Sequence, residues 1–343
     1  MRFFNGWFNK RIGIDLGTSN TLIYLENKGI VLCEPSIIAM DVNTNLPIAV
    51  GLEAFDMLGR TPKGIRVSRP LKAGVVAEIR ETTFMLETFL KRVYAKEGSL
   101  RNPEIIIAVP EGITSVERVA IQQIAEHLKA SRVYLPSEPL CAAIGAEQPV
   151  TDSIGSMIVD IGGGTTEVAV VSLSGIVVSE SIRVAGNDFD DAIKSHLKAQ
   201  YSLEIGENSA EALKIRLSSH EEPYDQGNFV VVGLNSSSGV PRTLTISREE
   251  ILLAISQPLK QVIQAIKRTL EKCPPELAAD IFERGIILTG GGALLDGLEH
   301  LIMSETQLPV VIANNPLSCV AIGAGKMFTD PQFQRVRELS LCA

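Results

Sequence analysis

IGIDLGTSNTLIYLENKGIV (residues 12–31) and MIVDIGGGTTEVAVVSLSGIV (residues 157–177) share one pattern: apolar strand, aspartate, apolar residue, glycine, three small or polar residues, threonine, then a second β-rich run. Asp15 matches Asp160, Gly17 matches Gly162 and Thr21 matches Thr166, at a constant offset of 145 residues. Strand-forming residues on both sides of each bend make it a hairpin turn, not the strand-to-helix turn of a Walker or Rossmann loop. Small residues at the bend let backbone N–H groups converge on one concavity with no Cβ in the way, as a phosphate requires. A single Asp-x-Gly reads as an ordinary turn. Two at half-chain spacing imply two halves closing on one polyphosphate, each bringing a carboxylate to where Mg2+ is needed. Asp15 and Asp160 are the metal-side candidates, acting through water.

A third glycine cluster, GIILTGGGALLDGLEHLI (residues 285–302), differs from these two. Its strand runs into helical periodicity with Leu294, Leu295, Leu298, Leu301 and Ile302 on one side, which predicts a helix whose N-terminus carries Gly290, Gly291 and Gly292. A tight turn with no ligand fits the local pattern equally well. Elsewhere strands and helices alternate. PEIIIAVPEG (103–112) reads as a buried strand, and TSVERVAIQQIAEHLKA (114–130) as a helix opened by a capping box from Thr114 to Glu117. SREEILLAISQPLKQVIQAIKRTLEK (247–272) begins the same way, from Ser247 to Glu250, with Pro258 predicted to interrupt or kink it. NFVVVGLNSSSGVPRTLTIS (228–247) reads as a hairpin. The class is α/β, and with no low-complexity linker the halves are expected to meet in a cleft.

The bulk properties exclude several functions. The chain has 343 residues, 45% hydrophobic and 21% charged, enough for a large core and two or more domains. No apolar run reaches the roughly 18 residues of a membrane span, and Asn5, Asn9, Lys10 and Arg11 interrupt any secretory leader, so a cytoplasmic location is expected. Five scattered cysteines fit reduced thiols, and four histidines without ligand spacing do not form a zinc site. A net charge of −8 argues against nucleic acid as a partner.

Five motifs then occur in the order seen in the actin-like ATPase superfamily, which also holds seventy-kilodalton heat-shock chaperones and sugar kinases. IDLGTSNT (14–21) resembles the first phosphate loop, PSEPLCAAIGA (136–146) the first connecting helix and VDIGGGTTEV (159–168) the second phosphate loop. ILTGGGALL (287–295) resembles the adenosine loop, and NPLSCVAIGAGKM (315–327) the second connecting helix. Within the superfamily GIVLCEPSI, MLGRTP, RPLKAGVVA, CPPELAADI and ERGIILTGGGALL are closest to MreB, the family of bacterial actin-like cell-shape proteins. The resemblance implies an actin-like ATPase fold, with duplicated ribonuclease H-like domains around a nucleotide cleft. Four subdomains follow: IA (11–31, 75–144, 320–343), IB (32–74), IIA (145–180, 245–319) and IIB (181–244). It also implies slow Mg2+-dependent ATP hydrolysis, self-assembly into filaments and work with rod-shape and peptidoglycan-synthesis proteins.

The same resemblance assigns Thr18, Ser19 and Asn20 to the first phosphate loop, and Gly162, Gly163, Gly164 and Thr165 to the second. Glu138 matches the acidic residue that positions the attacking water, with Thr165 as its helper; locally, Glu138 is a helix-start residue. Glu211 and Lys214 match residues near the ribose and base, although by themselves they read as an i, i+3 ion pair. Gly290, Gly291, Gly292 and Ala293 match the adenosine loop. A monomeric kinase or chaperone is the rival. A chaperone would need a peptide-binding domain after the ATPase, where only a short tail follows. A sugar kinase would place an aspartate base where Glu138 stands.

The opening MRFFNGWFNK is a separate signal. As a helix it gathers Met1, Phe3, Phe4, Trp7 and Phe8 into one arc of about 160°. With Arg2, Lys10 and Arg11 nearby, it reads as an amphipathic membrane-binding segment (1–10) for anionic lipid on the inner face of the cell membrane. A disordered end or a segment packed on the domain is the alternative. Relatives often carry a second hydrophobic membrane loop, at AKEGSLRNPE (95–104) here, where Leu100 is the one sizeable apolar residue.

Overall fold

Two five-stranded sheets of the same design organise the chain in the computed structural model, which describes residues 10–98, 102–217 and 228–342. In the first, strands Arg11–Leu16, Asn20–Leu25 and Gly29–Pro35 form an antiparallel meander. Glu104–Ala108 joins the free edge of Arg11–Leu16 in parallel, and Arg132–Tyr134 follows. In the second, Ser156–Ile161, Thr166–Ser172 and Gly175–Ile182 repeat the meander, while Ile286–Thr289 and Val310–Ile312 add the parallel pair. This is the actin-like, ribonuclease H-like pattern that the resemblance implied. Every residue of Ser156–Ile161 and of Thr166–Ser172 is buried, because helices cover both faces of the sheet.

The local expectations for the other elements mostly hold. The capping box at Thr114 is complete, with Glu117 N–H donating to Thr114 Oγ1 at 3.2 Å and Thr114 N–H to Glu117 Oε2 at 2.7 Å. Ser247 caps its helix, but the Glu250 carboxylate turns to His196 and Tyr201, at 2.9 and 2.7 Å. Pro258 interrupts the run, as expected, and does so without kinking a continuous helix. The helix Arg248–Ala254 has already ended, and the proline sits in the first turn of Ser256–Glu271, where its missing N–H costs nothing. The third glycine cluster corrects its expectation. Gly291–Leu294 is one 3-10 turn, and the helix Leu298–Thr306 starts only after Gly297, at φ 77°. Leu294 is thereby freed from the helix face to line a cleft.

Between the sheets lie two helices, Glu138–Gly145 and Cys319–Thr329. Their residues Cys141, Ala142, Ile144, Ala324 and Met327 share one apolar cluster with Ile106 and Ala108 of the first sheet and Ile158, Val171 and Ile287 of the second. The helices cross backbone to backbone. A Cβ on Gly145 would run into the carbonyl of Cys319, and a Cβ on Gly323 into that of Cys141. CAAIGA (141–146) and CVAIGA (319–324) are thus reciprocal partners, a second internal repeat whose meaning emerges only from the packing. Gly145→Ala should lower stability by about 1–3 kcal/mol, read as a lower urea midpoint at unchanged m value. Gly206→Ala, where an added Cβ meets nothing, should change it by less than about 0.5 kcal/mol.

Candidate functional site

The two glycine bends face each other across a cleft of about 410 Å³. They touch because they are small: a Cβ on Gly163 would strike the Ser19 side chain, and one on Gly164 would lie 2.7 Å from Thr18 Oγ1. Ser19 Oγ donates to Asn187 Oδ1 at 3.3 Å, linking the halves. The matched threonines do matched work. Thr21 bonds Ser36 at the exit of the third strand of its meander, and Thr166 Oγ1 donates to the Val184 carbonyl beyond the third strand of the other. None of the N–H groups of Thr18, Ser19, Gly163 and Gly164 has a backbone acceptor among the described residues. All four residues line the cleft, and donors so placed suit an anion.

Carboxylates stand behind the bends. Asp15 pairs with Ala108 and Leu22, Asp160 with Thr289 and Glu167, so both lie at the same level of their sheets. Glu138 is the first residue of its helix, buried, its N–H donating to the Val109 carbonyl at 2.7 Å. Burial pushes the Asp15 carboxyl up to about 7, helped by the charge of Asp160. Asp160 is pushed to about 6 by burial, moderated by the hydroxyl of Thr289 donating at 2.9 Å. Glu138 rises well above the ordinary carboxylate range through burial and the charges of Asp15, Glu167 and Asp160. Glu167, bound by Ser181 Oγ at 2.6 Å, is pushed to about 7, mainly by burial. Among the described residues the side chains of Asp15 and Glu138 accept no protein hydrogen bond, and no three ligating side chains converge closely enough to hold a metal alone. Such carboxylates fit a cation shared with water and phosphate oxygens, the usual mode for Mg2+.

The other end of the cleft is apolar. Ile215, Leu294 and Leu317 line it while 57%, 42% and 54% exposed, as side chains awaiting a flat apolar ligand would be. Glu211 and Lys214 stand at this end on Glu207–Leu217, whose Ala210, Leu213 and Leu217 face inward. Lys214 Nζ donates to Asp190 Oδ2 at 2.7 Å and to the Gly186 carbonyl at 3.0 Å, so its tertiary partners override the i, i+3 reading. Gly290, Gly291 and Gly292 line the cleft. Ala293 does not, because it is buried in the core of the second half. Asn20, Gly162 and Thr165 line it as expected.

The profile of the MreB/Mbl protein family matches residues 9–335. The chain belongs to the MreB/Mbl family. The cell shape-determining protein MreB of Escherichia coli strain K12 is 47% identical over 330 residues, covering 95% of each chain. The crystal structure of MreB5 of Spiroplasma citri bound to ADP superposes with a TM-score of 0.89 at 35% identity, over 95% of this chain and 98% of that one. A second structure of MreB5 is bound to AMPPNP. The MamK double helical filament, at 23% identity and a TM-score of 0.77 over 94% of this chain and 99% of that one, shares the fold.

In this MreB/Mbl chain several cleft residues carry no sequence signal of their own. Gly186 and Ile215 line the cleft, and Asn187 bonds across it to Ser19, through tertiary packing alone. Thr289 had one available, since it is the last strand residue before the third glycine cluster. The aromatic residues Phe3, Phe4, Trp7 and Phe8, and Leu100, lie outside the described residues. Among the described residues no helix is long and apolar enough to cross a membrane.

Because Asp15, Asp160 and Glu167 are raised to between about 6 and 7, the folded protein holds more protons than the unfolded one between the ordinary carboxylate range and about pH 7. Stability of the Mg2+-free protein should therefore fall as pH rises from about 5 to about 7.5, measured as a decreasing melting temperature. Asp15→Asn should flatten that fall. An identical slope in the variant would place the effect elsewhere.

Proposed function

We propose that this chain binds ATP with Mg2+ in the cleft, hydrolyses it slowly, and assembles with copies of itself into membrane-bound filaments that direct peptidoglycan synthesis and maintain rod shape. The observation that carries the reading is the convergence of two glycine bends and the carboxylates Asp15, Asp160 and Glu138 on one cleft with an apolar far end. The triphosphate chain would lie between the bends, against the N–H groups of Thr18, Ser19, Gly163 and Gly164. The adenosine would lie on Ile215, Leu294 and Leu317, with Gly290, Gly291 and Gly292 allowing close approach and Glu211 and Lys214 beside the ribose. Self-assembly and the cell-shape role follow from membership of this family of actin-like proteins.

Phosphoryl transfer to water asks the protein chiefly for position and charge balance. A bound Mg2+, held through water by Asp15 and Asp160, would supply positive charge to the phosphate chain and return the neighbouring carboxyls to their ionised form. Glu138, so ionised, orients the attacking water and accepts its proton, and the Thr165 hydroxyl holds that water from the side of the second bend. Glu138→Ala should slow phosphate release by about 100-fold or more while ATP affinity stays within about threefold. An equal loss of both would mark Glu138 as a helix-start residue only.

Membrane contact is assigned to the aromatic N-terminus, with Leu100 as a minor contributor. The arrangement around Lys10 supports this: its Nζ donates to the Glu97 carbonyl at 2.9 Å, and the Glu104 N–H to its own carbonyl at 3.1 Å. Lys10, Glu97 and Glu104, the described residues nearest those two stretches in sequence, thus lie side by side. A single ten-residue anchor binds weakly, since a buried Phe contributes about 1.5–3 kcal/mol and ordering opposes much of it. A filament presents many anchors at high effective concentration, which couples membrane binding to assembly. A variant lacking residues 2–9 should lose pelleting with anionic liposomes while binding ATP like the full chain, and unchanged pelleting would refute the anchor.

A further inference from the structure

The first glycine bend is held from behind. Ser36 follows the strand Gly29–Pro35 and is fully buried. Its Oγ donates to the Gly17 carbonyl at 2.6 Å, and its backbone N–H to the Ser19 carbonyl at 2.8 Å. Thr21 Oγ1, also fully buried, lies 2.9 Å from Ser36 Oγ. A hydroxyl has one proton, and Ser36 gives its own to Gly17, so Thr21 is the donor of that pair. The chain Thr21 to Ser36 to Gly17 is a short polarised relay within the protein interior.

In a trans peptide the carbonyl of one residue and the N–H of the next point to opposite sides. Tying the Gly17 and Ser19 carbonyls toward Ser36 therefore turns the Thr18 and Asn20 N–H groups the other way, and Thr18 and Asn20 line the cleft. Residue 17 must be glycine, since a Cβ there would come within 2.7 Å of the Asn20 carbonyl oxygen. A glycine-flanked peptide unit flips easily, so the bend's orientation has to be imposed from outside. The second bend meets the same need with main chain alone: the Gly162 and Gly163 carbonyls accept from the N–H groups of Gly186 and Asn187 at 3.1 and 2.8 Å. In each half, residues beyond the third strand of the meander hold the carbonyls outward. Only the first half uses a side chain for it.

We propose that Ser36, which does not line the cleft, is a positioning residue that aims the amides of the first bend at the phosphate chain of the bound nucleotide, with Thr21 orienting the Ser36 hydroxyl. This deepens the nucleotide-binding reading above and rests on it. Loss of the Ser36 hydroxyl leaves the Gly17 carbonyl without its buried partner and frees the peptide to rotate. The consequence falls on phosphate recognition and leaves the apolar end of the cleft as it was.

The test is titration calorimetry of the full chain with Mg2+ and either ATP or adenosine. Ser36→Ala should weaken ATP by about tenfold and adenosine by less than about twofold. Thr21→Val should weaken ATP in the same direction by about threefold, while Thr21→Ser, which keeps the hydroxyl, should match wild type. Thr21→Val carries the test should Ser36→Ala not fold. Equal losses of ATP and adenosine would reduce Ser36 to a packing role, and unchanged ATP affinity in both Ser36→Ala and Thr21→Val would overturn the clamp. A wild-type chain that binds neither ligand would overturn the nucleotide reading itself, and the clamp with it.

Discussion

The contact on which the cleft depends is the crossing of Glu138–Gly145 and Cys319–Thr329, where two glycines let helix backbones meet. Each helix packs on both sheets through one shared apolar cluster, so this crossing sets how the halves stand to each other. Gly325 extends the same economy of space to the first sheet, where a Cβ would run into the Tyr24 ring. With larger residues at these positions the sheets would sit farther apart, and the glycine bends would no longer touch. A well-packed interior transmits such shifts because it has little free volume to absorb them.

The crossing has an electrostatic consequence. It brings Asp15, Glu138 and Asp160 together at the base of the cleft, with Glu167 close enough to raise Glu138, and each of these carboxyls is raised above its ordinary range. Such an arrangement opposes folding once the groups ionise, which a protein tolerates where a bound cation reverses the sign. The apolar end of the cleft has the same character, with Ile215, Leu294 and Leu317 exposed. Raised carboxyls at one end and exposed apolar side chains at the other are the features on which the proposed nucleotide site rests.

Much of this was legible from residue order. The hairpin reading of both bends and the pairing of Asp15 with Asp160 as matched positions followed from strand-forming residues flanking small ones, and the two-sheet architecture from the family resemblance. The Thr114 capping box was equally plain, because capping is local chemistry. The third glycine cluster departs from its helical expectation because leucine spacing at Leu294 and Leu295 imitates a helix face, whereas Leu294 stands exposed at the cleft and Leu295 is buried against the core. Glu250 answers to His196 and Tyr201, and Lys214 to Asp190, because a half-buried tertiary partner outcompetes a solvated neighbour on the same helix.

The sequence by itself determined what is periodic or duplicated: the class of fold, the two aspartate-bearing hairpins, their equivalence, and membership of a family written along nearly the whole chain. These are short-range properties, dictated by side-chain alternation and by which residues tolerate a tight bend. The tertiary structure alone decided which residues meet across long separations. It placed Asn187 against Ser19, Ser36 behind Gly17, and Gly145 on the backbone of Cys319. Such contacts depend on the relative position of two sheets, and no local preference of a serine, an asparagine or a glycine encodes it.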